Sequence, residues 1–516
     1  MARSHVLAIL KRSHLRVKLP ASQQHYSASL STTAGKELSS LLGFPSNSWP
    51  LASAVVRELL GGGRSQTSTS KLEPAADSVP QPTVATVISE ARQPNRALAE
   101  LLELDSSPPT DGEDLARRVV GPLQRLCPQL DNLSPAEITT LVAALGHFRV
   151  KDSLVDIVLE AVSDIVTDSV QQYTAPQLAT ICGSYVELDH RGSGYTLLLD
   201  AIVGQVLRSF KDLDARGLVA LTHALAETEH ESEGTGKLLA AIAAGALDLV
   251  PTFTPGQLVS LLASFSRLHH YNEPMYRAIA RQAAPTVSTL QLQQQSDLLH
   301  ALALMGHDEP QLVAALRGHL LENAEQLAGF ALCDVLWSLA VLDQLSLESF
   351  RHMCGRLEQL TLGSFEPENF QQLYQVQRIV QAASEDPVTV QLPAWIWVYA
   401  ASAWQDRLFA ESNFTPLQQS ICRTLDDMGI WHEEKFLQNM TSAIALHDKV
   451  TIHPEGPSCY SSSWPKRALG ETLAVRRTLA RHGWTVVPIA KHEWMALASQ
   501  KRRGYLAKLL EDVGAL

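Results

Sequence analysis

The sequence predicts a mainly α-helical protein: an α-solenoid of helical-hairpin repeats about 37–40 residues long, followed by a small α/β domain. Three observations carry the prediction. The middle of the chain repeats itself, and each repeat opens on a helix-start signal. Near residue 440 the apolar period then changes from that of a helix to that of strands.

Residues 1–40 are basic and serine-rich: Arg3, Lys11, Arg12, Arg16, Lys18 and Lys36 all precede the first acid, Glu37. Val6, Leu7, Ile9 and Leu10 share a helical face beside Arg3, Lys11 and Arg12, the pattern of an organellar transit peptide; the plainer alternative is a flexible tail. Lys11 and Arg12 interrupt the apolar run that a secretory signal needs. Residues 41–115 are rich in Pro, Ser, Thr and Gly and read as a flexible linker with short helices near 51–60 and 93–104. Its "GGGRS" lacks the Lys-Ser/Thr and the preceding strand of a phosphate loop.

From 116 to 440 the chain reads as a repeat array. Units begin at Leu133, Tyr173, Leu213, Phe253, Leu290, Leu327 and Phe365, at spacings of 40, 40, 40, 37, 37 and 38 residues, with a degenerate unit before Leu133. Apolar residues recur at three- and four-residue steps, as in Ile138, Leu141, Leu145 and then Leu178, Ile181, Tyr185, which puts them on one helical face. Ser134, Thr174, Asp214 and Thr254 stand as N-caps, often with proline in the first turn. A second apolar helix follows each, so every unit is a hairpin that buries its apolar face only by stacking on its neighbours. His190, His230, His270 and His307 recur in the turn between the two helices. They read either as nucleotide contacts along a groove or as turn residues capping the first helix. Repeat spacing, about 10 Å, is too wide for a shared metal ion.

Composition sets limits. With 45% hydrophobic and 19% charged residues the chain has an ordinary globular make-up. Its longest apolar runs fall short of the roughly 20 residues a membrane-spanning helix needs, so no membrane insertion is expected. Six cysteines without a C-x-x-C pair read as reduced thiols, and no metal or cofactor is expected. The net charge of −12 divides into +6 over residues 1–36, +6 over 464–516 and −24 between them. A polyanion is drawn to the ends and repelled by the middle.

Residues 441–516 form the α/β domain. "SAIAL" and "KVTIH" read as strands joined by "HDK", residues 468–482 as a helix, "WTVVPI" as a strand, and "HEWMALASQKRRGYLAKLLEDV" as a final helix that Trp494 locks onto the sheet. Gly470, Thr472, Arg476, Arg477, Leu479, Gly483, Val486, Val487, Ile489, Glu493 and Trp494 fall in a pattern that resembles the RAP domain, found at the ends of helical-repeat proteins of mitochondria and plastids. The resemblance covers about 75 residues, and Gln418–Gly429 is similar to the helix that precedes the domain in that family. The repeat period in turn resembles the octotricopeptide and heptatricopeptide classes of organellar RNA-binding proteins.

The resemblance implies a restriction-endonuclease-like fold, whose metal site uses acids on adjacent strands. The family's Glu-x-Asp-Gly-Pro segment stands here as His453-Pro454-Glu455-Gly456-Pro457, and the neighbouring strand has Ala443 where an Asp is expected. One vestigial acid, Glu455, cannot neutralise a Mg²⁺ ion alone, which leaves a metal-dependent ribonuclease as the weakest reading. Binding is the stronger one. Arg476, Arg477 and Arg481 on one helix, Lys501, Arg502 and Arg503 on another, and Lys466 and Arg467 beside Tyr460 and Trp464 supply cations and aromatic faces for phosphates and bases; the plainer alternative is a solvated basic face. The sequence therefore predicts a non-catalytic RNA-binding protein of the mitochondrial matrix, or of a plastid, acting in RNA stabilisation, processing or ribosome assembly. Its partners are organellar rRNA or mRNA. The alternative is a structural subunit of a mitochondrial ribosome whose acidic repeats face proteins.

Overall fold

A computed structural model describes residues 96–103, 112–192, 194–410 and 415–516. The transit-peptide and most of the linker expectations lie outside these residues. The chain divides into two compact units. Among its described residues the first holds α1 (Arg96–Glu103) packed on α2 (Gly112–Leu126), with residues 150–165 and 192–195 from later in the chain. Arg125 pairs with Glu100 across those two helices. The second unit holds the remainder, through Leu516.

The hairpins run as the period predicts. First helices are α3 (Pro135–Phe148), α5 (Ala175–Glu187), α7 (Ala215–Glu227), α9 (Pro255–Arg267), α11 (Leu292–Leu304), α13 (Gly329–Val341) and α15 (Pro367–Ala383). The helices that follow them in sequence are α4 (Ser153–Ser169), α6 (Tyr195–Arg208), α8 (Glu233–Leu249), α10 (Glu273–Ala283), α12 (Pro310–Glu322), α14 (Leu347–Glu358) and α16 (Ala394–Ala410). From α5 to α15 each first helix packs on the next first helix, and α16 closes on α15. The recurrent apolar positions form the seam: Leu178, Ile181, Tyr185, Leu221, Leu225, Leu261 and Phe265 are wholly buried. Thr174 and Thr254 make capping boxes with Gln177 and Gln257, and Asp214 accepts from the Gly217 N–H, satisfying donors that a helix start leaves free.

First helices end alike. Leu188 closes α5, Asp189 turns left-handed (φ 53°), and the His190 N–H returns to the Tyr185 carbonyl at 3.1 Å. The same reversal recurs at Glu229–His230, His269–His270, Gly306–His307 and Asp343–Gln344. This is the Schellman geometry, in which the residue after the left-handed one donates back into the last turn. It is built mostly without glycine. The run Glu233–Thr252 is, by length and composition, the one helical segment among the described residues apolar enough to span a bilayer. Its Leu238, Leu239, Ile242, Ala243 and Ala246 are buried among the hairpins, as in the core helix of a repeat.

After α17 (Pro416–Met428) come β1 (Glu433–Leu437), β2 (Thr441–Ala445), β3 (Val450–Glu455), α18 (Gly470–Arg481), β4 (Thr485–Ala490), α19 (Lys491–Ala496) and α20 (Ser499–Asp512). The sheet order is β1-β2-β3-β4, antiparallel except for the parallel β3–β4 pair, which α18 joins as a crossover. Two details differ from the sequence reading. The sheet begins at Glu433, upstream of the expected boundary at 441, because "EEKFL" is too polar to show a strand's alternation. The last helix is two, broken at Leu497–Ala498. The α/β domain falls in the same compact unit as the later repeats. Trp494 does lock the terminal helix: it is fully buried with Ile444, Ile452, Val487, Ile489, Leu506 and Leu510, and α17 adds Ile421 and Leu425.

Candidate nucleic-acid interface

The terminal domain meets the repeats at the C-terminal ends of α9, α11 and α13, where helix carbonyls lack intrahelical partners. Each end receives a donor. The Ser462 N–H and hydroxyl donate to the His269 and Leu268 carbonyls at 2.7 and 2.9 Å, and the Tyr271 N–H donates to the Ser463 hydroxyl at 3.0 Å. Arg467 donates to the Gly306 carbonyl at 2.6 Å and lies over the Tyr271 ring. Arg477 donates to the Val341 and Ala340 carbonyls at 2.9 and 3.1 Å, and Arg481 to the Asp343 carboxylate at 2.8 Å. Burial lowers the Arg477 pKa and Asp343 opposes that shift. Glycine permits the approach, since a Cβ on Gly470 would stand 1.8 Å from the Ala303 carbonyl oxygen.

The helix that carries the three expected RNA-contacting arginines has its own acceptors within the molecule. Arg476, Arg477 and Arg481 share α18; Arg476 and Arg477 are half-buried and bonded within the molecule, and the exposed Arg481 pairs with Asp343 at the surface. Arg476 forks onto both oxygens of Glu455, which is wholly buried at the end of β3. His453 shares a hydrogen bond with the same carboxylate and with Thr441, and Tyr460 donates its hydroxyl to it. Burial pushes the Glu455 pKa up, and the bonds from His453, Arg476 and Tyr460 outweigh it, bringing the group down to about 2. Among the described residues no three His, Cys, Asp or Glu side chains are grouped to hold a metal ion.

The four repeat-turn histidines are buried, only 5–8% exposed. His190 and His270 pack edge-on against Tyr185 and Phe265, the residues whose carbonyls their own N–H groups reach. His230 bonds Thr235, and His307 bonds the Tyr271 hydroxyl. Burial takes His270 and His307 down to about 4. Their backbone N–H groups close the last turn of each first helix, and their imidazoles are buried beside it.

One exposed aromatic stands on the loop that follows β3. Residues 460–468 form a closed turn: Tyr460 bridges Ala468, the Ser461 N–H donates to the Arg467 carbonyl at 2.8 Å, and Lys466 donates to the Ser461 and Ser462 carbonyls. At its tip Trp464 is 80% exposed. His492 stands edge-on to both Trp464 and Tyr460, at 6.3 and 5.0 Å. Lys491 is exposed next to it in sequence, and Lys501 and Arg503 are exposed on α20. Arg502 is half-buried, bonded to Ser420 and set over Trp494. Sequence reading missed the acceptors that neutralise the arginines, Asp343 above all. It also missed Glu471, which holds Arg407 at 2.9 Å and Gln375. Asp343 shows in the sequence only as a polar residue at a repeat end, and Glu471 only as an acid in the first turn of a helix.

Set against models of known protein families and against curated proteins, the sequence matches none.

Proposed function

We propose that the protein is a non-catalytic RNA-binding protein of the mitochondrial matrix, acting in RNA stabilisation, processing or ribosome assembly. Its terminal α/β domain captures single-stranded RNA while an α-solenoid of repeats carries and extends that surface. The observation behind this reading is Trp464, a large aromatic face left 80% exposed on a loop whose backbone is tied at both ends and pinned to the repeat turn at His269. Folding gains nothing by holding an indole in water. An open ring held on a tied loop, with Lys491 next in sequence to the His492 ring beside it, is what base stacking with phosphate attraction uses. Glu455, with both oxygens engaged, supports binding rather than hydrolysis. The resemblance to RAP domains and the transit-like leader supply the organelle. A second reading, a ribosomal structural subunit meeting proteins through its repeats, draws support from the charge of −24 between the two basic ends.

The test is titration of the full chain with fluorescent single-stranded RNA at several salt concentrations. Trp464→Ala should weaken binding about tenfold, the value of one stacked base. Unchanged affinity would remove the loop from the interface. For location, a tagged chain should reach mitochondria and one lacking residues 1–36 should not; import of both would remove the targeting argument.

A further inference from the structure

A second aromatic and basic row lies at the other end of the β3–β4 pair from Trp464. Trp431 is 51% exposed and stacks on His447, with ring centroids 4.4 Å apart and planes 21° from parallel. Turns hold both rings. Gly429 ends α17 in the left-handed region and the Ile430 N–H returns to the Leu425 carbonyl, so the chain leaves the helix in a fixed direction. His447 opens the β2–β3 turn, which the Leu446 N–H closes onto the Val450 carbonyl at 2.8 Å. Asp448 and Lys449 are both left-handed there, at φ 56° and 57°. Left-handed backbone is unusual for residues other than glycine, and here the pair forms the turn that carries His447.

The row continues along the surface. The Lys449 ammonium reaches the His482 carbonyl at 3.5 Å beside Gly483. Trp484 follows, half-buried, with the Lys435 ammonium 5.9 Å from its ring centroid. Glu433 accepts from Lys435 at 2.8 Å, which leaves Lys449 as the main cation for an anionic ligand.

We infer that this row is a second binding site for unpaired nucleobases, with Trp431 on His447 as the stacking face and Lys449 as the phosphate contact. The inference rests on the RNA-binding reading and deepens it. Flat rings alternating with ammonium groups match the alternation of base and phosphate along a single strand. Six residues of β3, about 20 Å, separate this row from the Trp464 loop, so one strand of several nucleotides reaches both.

The experiment uses the full chain and a fluorescent single-stranded RNA of about ten nucleotides. Trp431→Ala should weaken binding about tenfold, and Trp431→Phe should retain most of the affinity. Lys449→Ala should lower the salt slope by about one. The thermal midpoint of Trp431→Ala shows whether the domain is still folded; if it is not, Trp431→Phe and Lys449→Ala decide. If Trp464→Ala weakens binding while the Trp431 and Lys449 variants bind as the parent does, the second site is wrong and the RNA reading stands. If the parent binds no RNA, both fall.

Discussion

Early and late repeats end their first helices with the same left-handed turn, yet the turns are used differently. In the early repeats the edge is tied by the array's own charges: Arg149 pairs with Glu187, and Arg191 and Arg267 both reach Glu227. In the later repeats the corresponding carbonyls and Asp343 are taken by Ser462, Arg467, Arg477 and Arg481 of the terminal domain. Exposed ion pairs are worth about 0–1 kcal/mol. Hydrogen bonds from a half-buried guanidinium to a helix-end carbonyl are worth about 1.5–3 kcal/mol and leave a costly orphan when broken. One turn therefore serves as a solvated edge in one half of the array and as a docking surface in the other. A run of arginines near a chain end is as readily a clasp as an RNA contact.

The comparison breaks first at Glu455. Glu455→Ala leaves Arg476 half-buried without its partner and should cost about 3–5 kcal/mol in denaturant unfolding of the full chain. The carboxylate also sets a pH dependence. Its folded pKa of about 2 lies below the ordinary value of 4.5, so its contribution is complete above pH 4.5 and is lost as pH falls toward 2. Glu455→Gln should flatten that acid limb; an unchanged limb would show that other groups control it. Next comes Arg477→Ala, expected to cost about 1.5–3 kcal/mol and to speed hydrogen exchange at the α13 end. Protection there equal to the parent's would mean that the clasp adds nothing. Smallest is Arg191→Ala, expected within about 1 kcal/mol and screened further by salt. A loss as large as that of Arg477→Ala would erase the distinction between the two edges.

Much of this was legible in the sequence. The hairpins were, because each helix repeats its apolar steps and carries its own cap, and both are local properties of a dozen residues. The repeat-turn histidines were found but admitted two uses, since a sequence does not report whether an imidazole points into a seam or into a groove. Trp494 could be assigned to the core from the strand and helix around it. Trp464 reads as a base-stacking face beside Lys466 and Arg467 while Trp431 is not singled out, and how far either ring is exposed depends on loops braced by residues far away, such as His269 for the Trp464 loop.

By itself the sequence determined the repeat period, the caps, the strand-forming segments and the uneven charge, since these follow from hydrogen-bonding and apolar patterns over neighbouring residues. The tertiary structure alone decided which charges stay free. Arg477 and Asp343 lie 134 residues apart, and only folding brings them to 3.6 Å and makes the arginine a clasp. Whether an ionic group is spent or available depends on the partner and the dielectric around it, and both are set by the fold.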